Sequence, residues 1–116
     1  MNQPLKKLII PENADIDICE YAFQECISLN EVIIPKHTHV IKHDAFLYST
    51  LSKITFLNNE PYTSPFSTDI SGSRIGYYKN EYGLYVKNEN LIIEGYKGST
   101  AEHYAQEHGF KFVPLD

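Results

Sequence analysis

A hydrophobic pattern with a period of about 23 residues runs through the first half of the chain, and no other feature narrows the fold so far. Leu5-x-x-Leu8-x-Ile10-Pro11 recurs as Leu29-x-x-Val32-x-Ile34-Pro35, and again as Leu51-x-x-Ile54-x-Phe56, at offsets of 24 and 22 residues. Between these segments Ile18-x-x-x-Ala22-Phe23 recurs as Ile41-x-x-x-Ala45-Phe46, at an offset of 23. Two interleaved patterns with one period mark a solenoid, in which each unit is too small to bury its own apolar face and neighbours supply the cover.

The spacing inside each unit sets its geometry. In Leu-x-x-Leu-x-Leu the last two apolar positions are two apart and share one face of a strand, while the first sits at the corner leading in. Leu8, Val32 and Ile54 should stack as one ladder of a parallel sheet, with Ile10, Ile34 and Phe56 as a second. Pro11 and Pro35 end their strands, because proline has no N–H for the ladder. Residues Glu20 to Glu25 read as a short helical turn whose Phe23 fills the core, with Phe46 doing the same one unit on. Ala22 and Ala45 are small where backbones approach. The residues that alternate with the ladder point outward: Lys7, Glu31 and Lys53 in one row, Ile9, Ile33 and Thr55 in the next. The charges of the first row alternate in sign, a pairing that contributes a few tenths of a kcal/mol per contact at about the usual cross-strand value. The second row is an apolar strip, which reads either as packing under a second layer or as a binding face.

The carboxyl end follows a different rule. Ser99 and Glu102 fit a capping box that opens a helix. Ala101, Tyr104 and Ala105 form its apolar stripe at i, i+3 and i+4, and Gly109 stops it with Phe110 folding back. Lys111-Phe112-Val113 is then a short strand before Pro114.

The run Ala22-Phe23-x-x-Cys26-x-x-Leu29-x-x-Val32-x-Ile34-Pro35 resembles the BspA-like leucine-rich repeats of bacterial surface proteins. The resemblance covers Leu5 to about Leu57, as two full coils and a partial third. Cys19 and Lys42 stand where the repeat usually carries glycine before the helical turn, and Tyr48-Ser49-Thr50 shortens the link into the third coil. The segment Leu91 to Leu115, with its Gly95-Tyr96-x-Gly98-Ser99-x-Ala101-Glu102-x-Tyr104-Ala105 run, is similar to the terminal cap of the same family. The resemblance implies an α/β fold: a short right-handed leucine-rich-repeat solenoid with parallel strands, short helical turns and a C-terminal helix-strand cap. It implies one domain over 1–116, with coils at 5–57, an intervening stretch at 58–90 and the cap at 91–116. It also implies that Cys26 points inward as a free thiol, and that the protein is secreted or displayed at a bacterial surface for adhesion or host-protein binding.

The stretch from Asn58 to Arg74 holds Pro61, Pro65, Gly72 and many Ser, Thr and Asn residues, and reads as a loop-rich insertion replacing part of a coil. Ile75-Gly76-Tyr77-Tyr78 and Leu84-Tyr85-Val86 flank a polar turn and form a hairpin candidate, followed by a strand at Leu91-Ile92-Ile93. Six of the nine tyrosines fall between Tyr62 and Tyr96, so Tyr77 and Tyr85 are candidates for stacking on a sugar or a protein. The plainer reading is that tyrosine suits half-exposed strands.

Catalytic signatures are missing from the sequence. His37, His39 and His43 form the one metal-like cluster, with His37 and His39 on one face if that segment is extended. The alternative is a solvated loop between two strands, and no zinc-type Cys/His spacing accompanies it. Cys19 and Cys26 flank the helical turn and are too few for a disulfide framework. Gly72-Ser73-Arg74-Ile75-Gly76 is not a nucleophile elbow, since the serine is not centred in Gly-x-Ser-x-Gly. Gly98-Ser99 lacks the rest of a phosphate loop, and Glu102, His103 and His108 read as a cap and solvated helix residues. A net charge of −5 argues against nucleic acid, which needs a basic stripe. The longest apolar run is about four residues, far short of the roughly 18 of a membrane span. The start, Met1 to Lys7, has no apolar core of a signal peptide. No cofactor is implied.

These features point to a non-enzymatic interaction module that presents Lys7, Ile9, Glu31, Ile33, Lys53, Thr55, Tyr77 and Tyr85 to a protein or host-surface ligand. Two alternatives stand beside it: a structural segment that caps a larger repeat protein, and a small glycan- or metal-binding module. The first coil shows no cap of its own, so a longer parent chain or self-association through that end is expected.

Overall fold

The computed structural model describes residues 7–9, 15–18, 30–42, 51–70 and 74–115. β1 (Lys7–Ile9), β3 (Glu31–Ile34) and β5 (Lys53–Phe56) lie side by side in parallel, with Leu8 beside Val32 and Val32 beside Ile54. Ile34 partners Phe56 in the same register. Val32, Ile34, Ile54 and Phe56 are all buried, as apolar positions two apart on a covered strand face must be. Each such side chain withdrawn from water contributes about 1.5–3 kcal/mol. Neighbouring rungs are also tied at their corners, where the Asn30 carbonyl accepts the N–H groups of Ser52 and Lys53.

The sheet continues past the repeat. β8 (Ile92–Gly95) pairs in parallel with β5 and sets Ile93 beside Ile54, and β9 (Lys111–Pro114) pairs in parallel with β8. The resulting order is β1-β3-β5-β8-β9. α1 (Thr100–His108) makes the crossover from β8 to β9 and buries Ala101, Tyr104 and Ala105. Gly109 ends it in the left-handed conformation (φ 75°), which returns the Phe110 N–H to the Ala105 carbonyl at 2.9 Å.

The capping box at the start of this helix forms only in part. Ser99 is the N-cap, but its hydroxyl turns away and donates to the Tyr96 carbonyl at 2.6 Å. Glu102 reaches back one residue further than a capping box requires and accepts the Gly98 N–H at 2.9 Å. The tight turn from Tyr96 to Ser99 accounts for both shifts, because it gives the serine hydroxyl a nearer carbonyl to bond.

The segment from His37 is a strand and not a solvated loop. β4 (His37–Ile41) pairs in parallel with β2 (Asp15–Ile18) in a second sheet. His37 and His39 are exposed while Thr38 and Ile41 are buried, so a polar residue fills one of the inward positions. The loop-rich stretch extends this sheet: Asp69 bridges Val40, its N–H donates to the His39 carbonyl, and its carbonyl accepts the Ile41 N–H. Beside it the Thr68 hydroxyl donates to the Thr38 carbonyl at 2.7 Å. β6 (Tyr77–Lys79) and β7 (Tyr85–Lys87) form an antiparallel hairpin, with Tyr78 beside Val86.

The expected helical turn at 20–25, the core roles of Phe23 and Phe46, the small Ala22 and Ala45, the ladder position Ile10, Pro11, both cysteines and His43 lie outside the described residues. Among the described residues no helix is long and apolar enough to cross a membrane.

Candidate protein-interaction surface

The outward face of the five-stranded sheet carries two rows of register partners. One runs Glu31, Lys53, Ile92, Lys111, and the other runs Ile33, Thr55, Glu94, Val113; on β1 the backbone register partners of Glu31 and Ile33 are Lys7 and Ile9. Glu31, Ile33 and Lys53 are each partly exposed. Together with Thr55 and Glu94 they line a shallow depression of about 150 Å³.

Thr55 is covered, although strand alternation alone predicts an open position. It is 7% exposed, because Glu94 on the next strand leans over it and accepts its hydroxyl at 2.8 Å. The same carboxylate oxygen meets Lys53 Nζ at 3.3 Å. One acidic side chain therefore joins a lysine and a threonine of the neighbouring rung and ends the apolar strip there. The Lys53 contact is partly exposed and, screened by solvent, contributes about 0–1 kcal/mol, so its effect is on arrangement more than on stability. Glu94 has no place in the repeat period. The link from Ile54 to its register partner Ile93 is 39 residues long, and a pattern with offsets of 22–24 does not reach it.

Tyr77 and Tyr85 are not part of this face. The Tyr77 hydroxyl lies 3.0 Å from His108 Nδ1, and its ring meets Phe110 edge-on at 5.8 Å. Burial and, secondarily, the Glu89 charge push its phenol up. Tyr85 lies beneath the Arg74 guanidinium, 4.0 Å from the ring centroid. Its hydroxyl also accepts a hydrogen bond from Arg74. Both rings are thus engaged within the protein. The tyrosines left exposed near them are Tyr78 and Tyr82, at 39% and 78%.

His37 and His39 share one exposed face of β4, separated by the buried Thr38. Among the described residues no group of three or more His, Cys, Asp or Glu side chains could hold a metal ion. His108 is more than a solvated helix residue: besides Tyr77, its ring lies 4.2 Å from that of Tyr104.

Residues 1–68, more than half of the chain, match the family model of the BspA type leucine rich repeat region (6 copies). No curated protein and no solved structure matches the chain.

Proposed function

The chain belongs to the BspA-type leucine-rich repeat family, and from that premise we propose that it is a non-enzymatic interaction module that docks a protein ligand on the outward face of its five-stranded sheet. The observation that carries this reading is the surface around Ile33. A half-buried isoleucine sits between Glu31, Lys53 and Glu94 on a rigid parallel sheet, so an apolar contact is framed by charges of both signs. Interfaces are commonly built this way, with an apolar centre and a polar rim that sets orientation. On β1, Ile9 and Lys7 are the backbone register partners of Ile33 and Glu31.

Several finer features rest on the family and on the parallel rungs. The coils form a short right-handed solenoid, since parallel crossovers are right-handed in nearly all cases. Residues 91–116 close its carboxyl end, where β9 carries Lys111 and Pro114 on the last strand, two residues that discourage further pairing. The ligand class that suits the family is a host-surface protein met outside the cell, in an adhesive role.

The test is a photo-crosslinking amino acid placed at Ile33 and, as a control, at the exposed Gln106 of α1. Solubilised host cell-surface protein should give covalent adducts at position 33 and none at 106. Adducts at 106 alone, or none at 33 in a folded protein, would refute the sheet face as the docking site.

A further inference from the structure

The outward sheet face holds one side chain whose bonding is unfinished. Glu94 on β8 is the register partner of Thr55 on β5. Its Oε1 meets two donors, the Thr55 hydroxyl at 2.8 Å and Lys53 Nζ at 3.3 Å. Among the described residues its Oε2 accepts no hydrogen bond. That oxygen is not sealed in either, since the side-chain oxygens buried without a partner among the described residues are those of Thr38 and Thr100. The carboxylate is thus fixed through one oxygen and presents the other at the surface. An acceptor positioned in advance loses little conformational freedom when its donor arrives.

The surroundings select the donor. The depression that Glu94 lines measures about 150 Å³, below the roughly 300 Å³ at which small-molecule sites begin. It suits a single side chain of a larger ligand. The Glu94 side chain is 21% exposed, so a charge set against it is screened less than on open surface. The Lys53 side chain is 42% exposed and shares its charge with water, so it meets only part of the carboxylate's demand. A neutral N–H would complete the hydrogen bond but not the charge, whereas a cationic donor completes both. Glu31 also lines the depression but is already engaged, and it has no part in this assignment. Ile33 decides between the two basic side chains, because it is the apolar neighbour of Glu94 in the depression. A guanidinium is planar and weakly hydrated, and it lies beside an apolar side chain more readily than a strongly hydrated ammonium. At longer range the net charge of −5 favours the approach of a basic ligand.

We propose that Glu94 Oε2 receives an arginine side chain of the protein ligand, with the guanidinium on the carboxylate and the aliphatic stem on Ile33. This assignment rests on the docking face described above and names the chemistry of its partner. The repeat then supplies the apolar contact, while the charge that selects the ligand comes from β8, outside the repeat period.

The experiment is an amide-resolved NMR titration of the full chain with N-acetyl-Gly-Arg-Gly-amide. The same peptide with citrulline in place of arginine keeps the shape and loses the charge. The arginine peptide should give saturable shifts centred on residues 33, 53–55 and 92–94. The citrulline peptide should bind roughly tenfold more weakly, the order expected of one charge-assisted hydrogen bond. Glu94→Gln should bring the arginine peptide down to the citrulline level, and the amide spectrum of that variant reports whether it is folded. No saturable shift with the arginine peptide overturns the assignment, as do shifts centred away from the sheet face. Equal binding of the citrulline peptide, tighter binding of N-acetyl-Gly-Lys-Gly-amide, or an unaltered response in Glu94→Gln overturns it too. Photo-crosslinking from position 33 keeps the two proposals apart. Adducts there alongside any of these results remove the arginine and leave the docking face standing, whereas a folded protein without adducts at 33 removes the face itself.

Discussion

Gly76 is the position where a single methyl group should do the most damage. Its φ is +89°, and a Cβ built there would stand 2.4 Å from Phe110 Cζ and 2.7 Å from Leu91 Cδ2. Neither neighbour has room to retreat: Leu91 is fully buried and Phe110 is 7% exposed. Gly76→Ala therefore carries two costs. A left-handed backbone costs an L-residue about 1–2 kcal/mol, and overpacking a closed core costs about 1–3 kcal/mol more. Gly83 separates the two, because its φ is +77° yet nothing lies within 4 Å of its Cβ position. Gly83→Ala should lose about 1–2 kcal/mol and Gly76→Ala about 2–5 kcal/mol in urea unfolding followed by circular dichroism. Phe110→Leu in the Gly76→Ala background should recover part of the overlap cost, so the double-mutant cycle should show coupling of at least about 1 kcal/mol. Equal losses at the two glycines, with no coupling to Phe110, would show that Phe110 is not wedged against this turn and would refute the packing argument.

Two further predictions concern the same end of the molecule. Burial, with smaller contributions from Tyr77 and Glu107, pushes the Tyr104 phenol well above its ordinary value of 10. The folded state then holds a proton that the unfolded state releases, so stability is complete below pH 10 and falls as pH rises beyond it, by up to about 1.4 kcal/mol per pH unit. Tyr104→Phe forfeits the 2.6 Å bond to the Ile75 carbonyl, about 1 kcal/mol at neutral pH, but its urea midpoint should decline less steeply above pH 10 than that of the wild type. Asn88 Nδ2 donates to the Leu51 carbonyl at 2.6 Å, joining the hairpin exit to the third rung. Asn88→Ala should cost about 1–3 kcal/mol. Asn88→Asp should cost more at neutral pH and regain part of the loss as acid protonates the new carboxyl, which urea midpoints at pH 7 and pH 4 would resolve.

The parts of the fold legible in the sequence are those carried by hydrophobic spacing. Leu8, Val32 and Ile54 align because each unit repeats the same apolar offsets, and the helix stripe at Ala101, Tyr104 and Ala105 could be read for the same reason. The second sheet was not legible. One of its inward positions is Thr38, whose hydroxyl is buried without a hydrogen-bond partner among the described residues, and beside it the buried Thr68 bonds the Thr38 carbonyl, so neither leaves an apolar signature. The fourth rung was legible as a strand but not as a partner of β5, because register across a long link is set by packing and leaves no periodic trace. The capping box failed at a finer level: Ser99 and Glu102 occupy the right positions, but the turn preceding the helix decides which N–H groups they meet.

The candidate site divides along the same line. Glu31, Ile33 and Lys53 follow from strand alternation, which says where a side chain points but not what lies over it. Glu94 covers Thr55 from a rung outside the period, so no count along the repeat would have found it. The tyrosines make the complementary case. Their density marks an aromatic cluster, yet the Tyr77 hydroxyl is used by His108 and the Tyr85 ring by Arg74. The first of these contacts braces the hairpin against the helix, and the second ties β7 to the turn that leads into β6. Lys87 Nζ donates to the Gly109 carbonyl just past the end of α1, and the Tyr104 hydroxyl ties the helix to Ile75 ahead of the hairpin. The stretch between the third and fourth rungs is therefore packed into the carboxyl end of the fold, with contacts that run across residue 91 in both directions. It follows that Tyr77→Phe should loosen that end while leaving the sheet face around Ile33 unchanged, since among the described residues no hydrogen bond or ring contact of Tyr77 reaches that face.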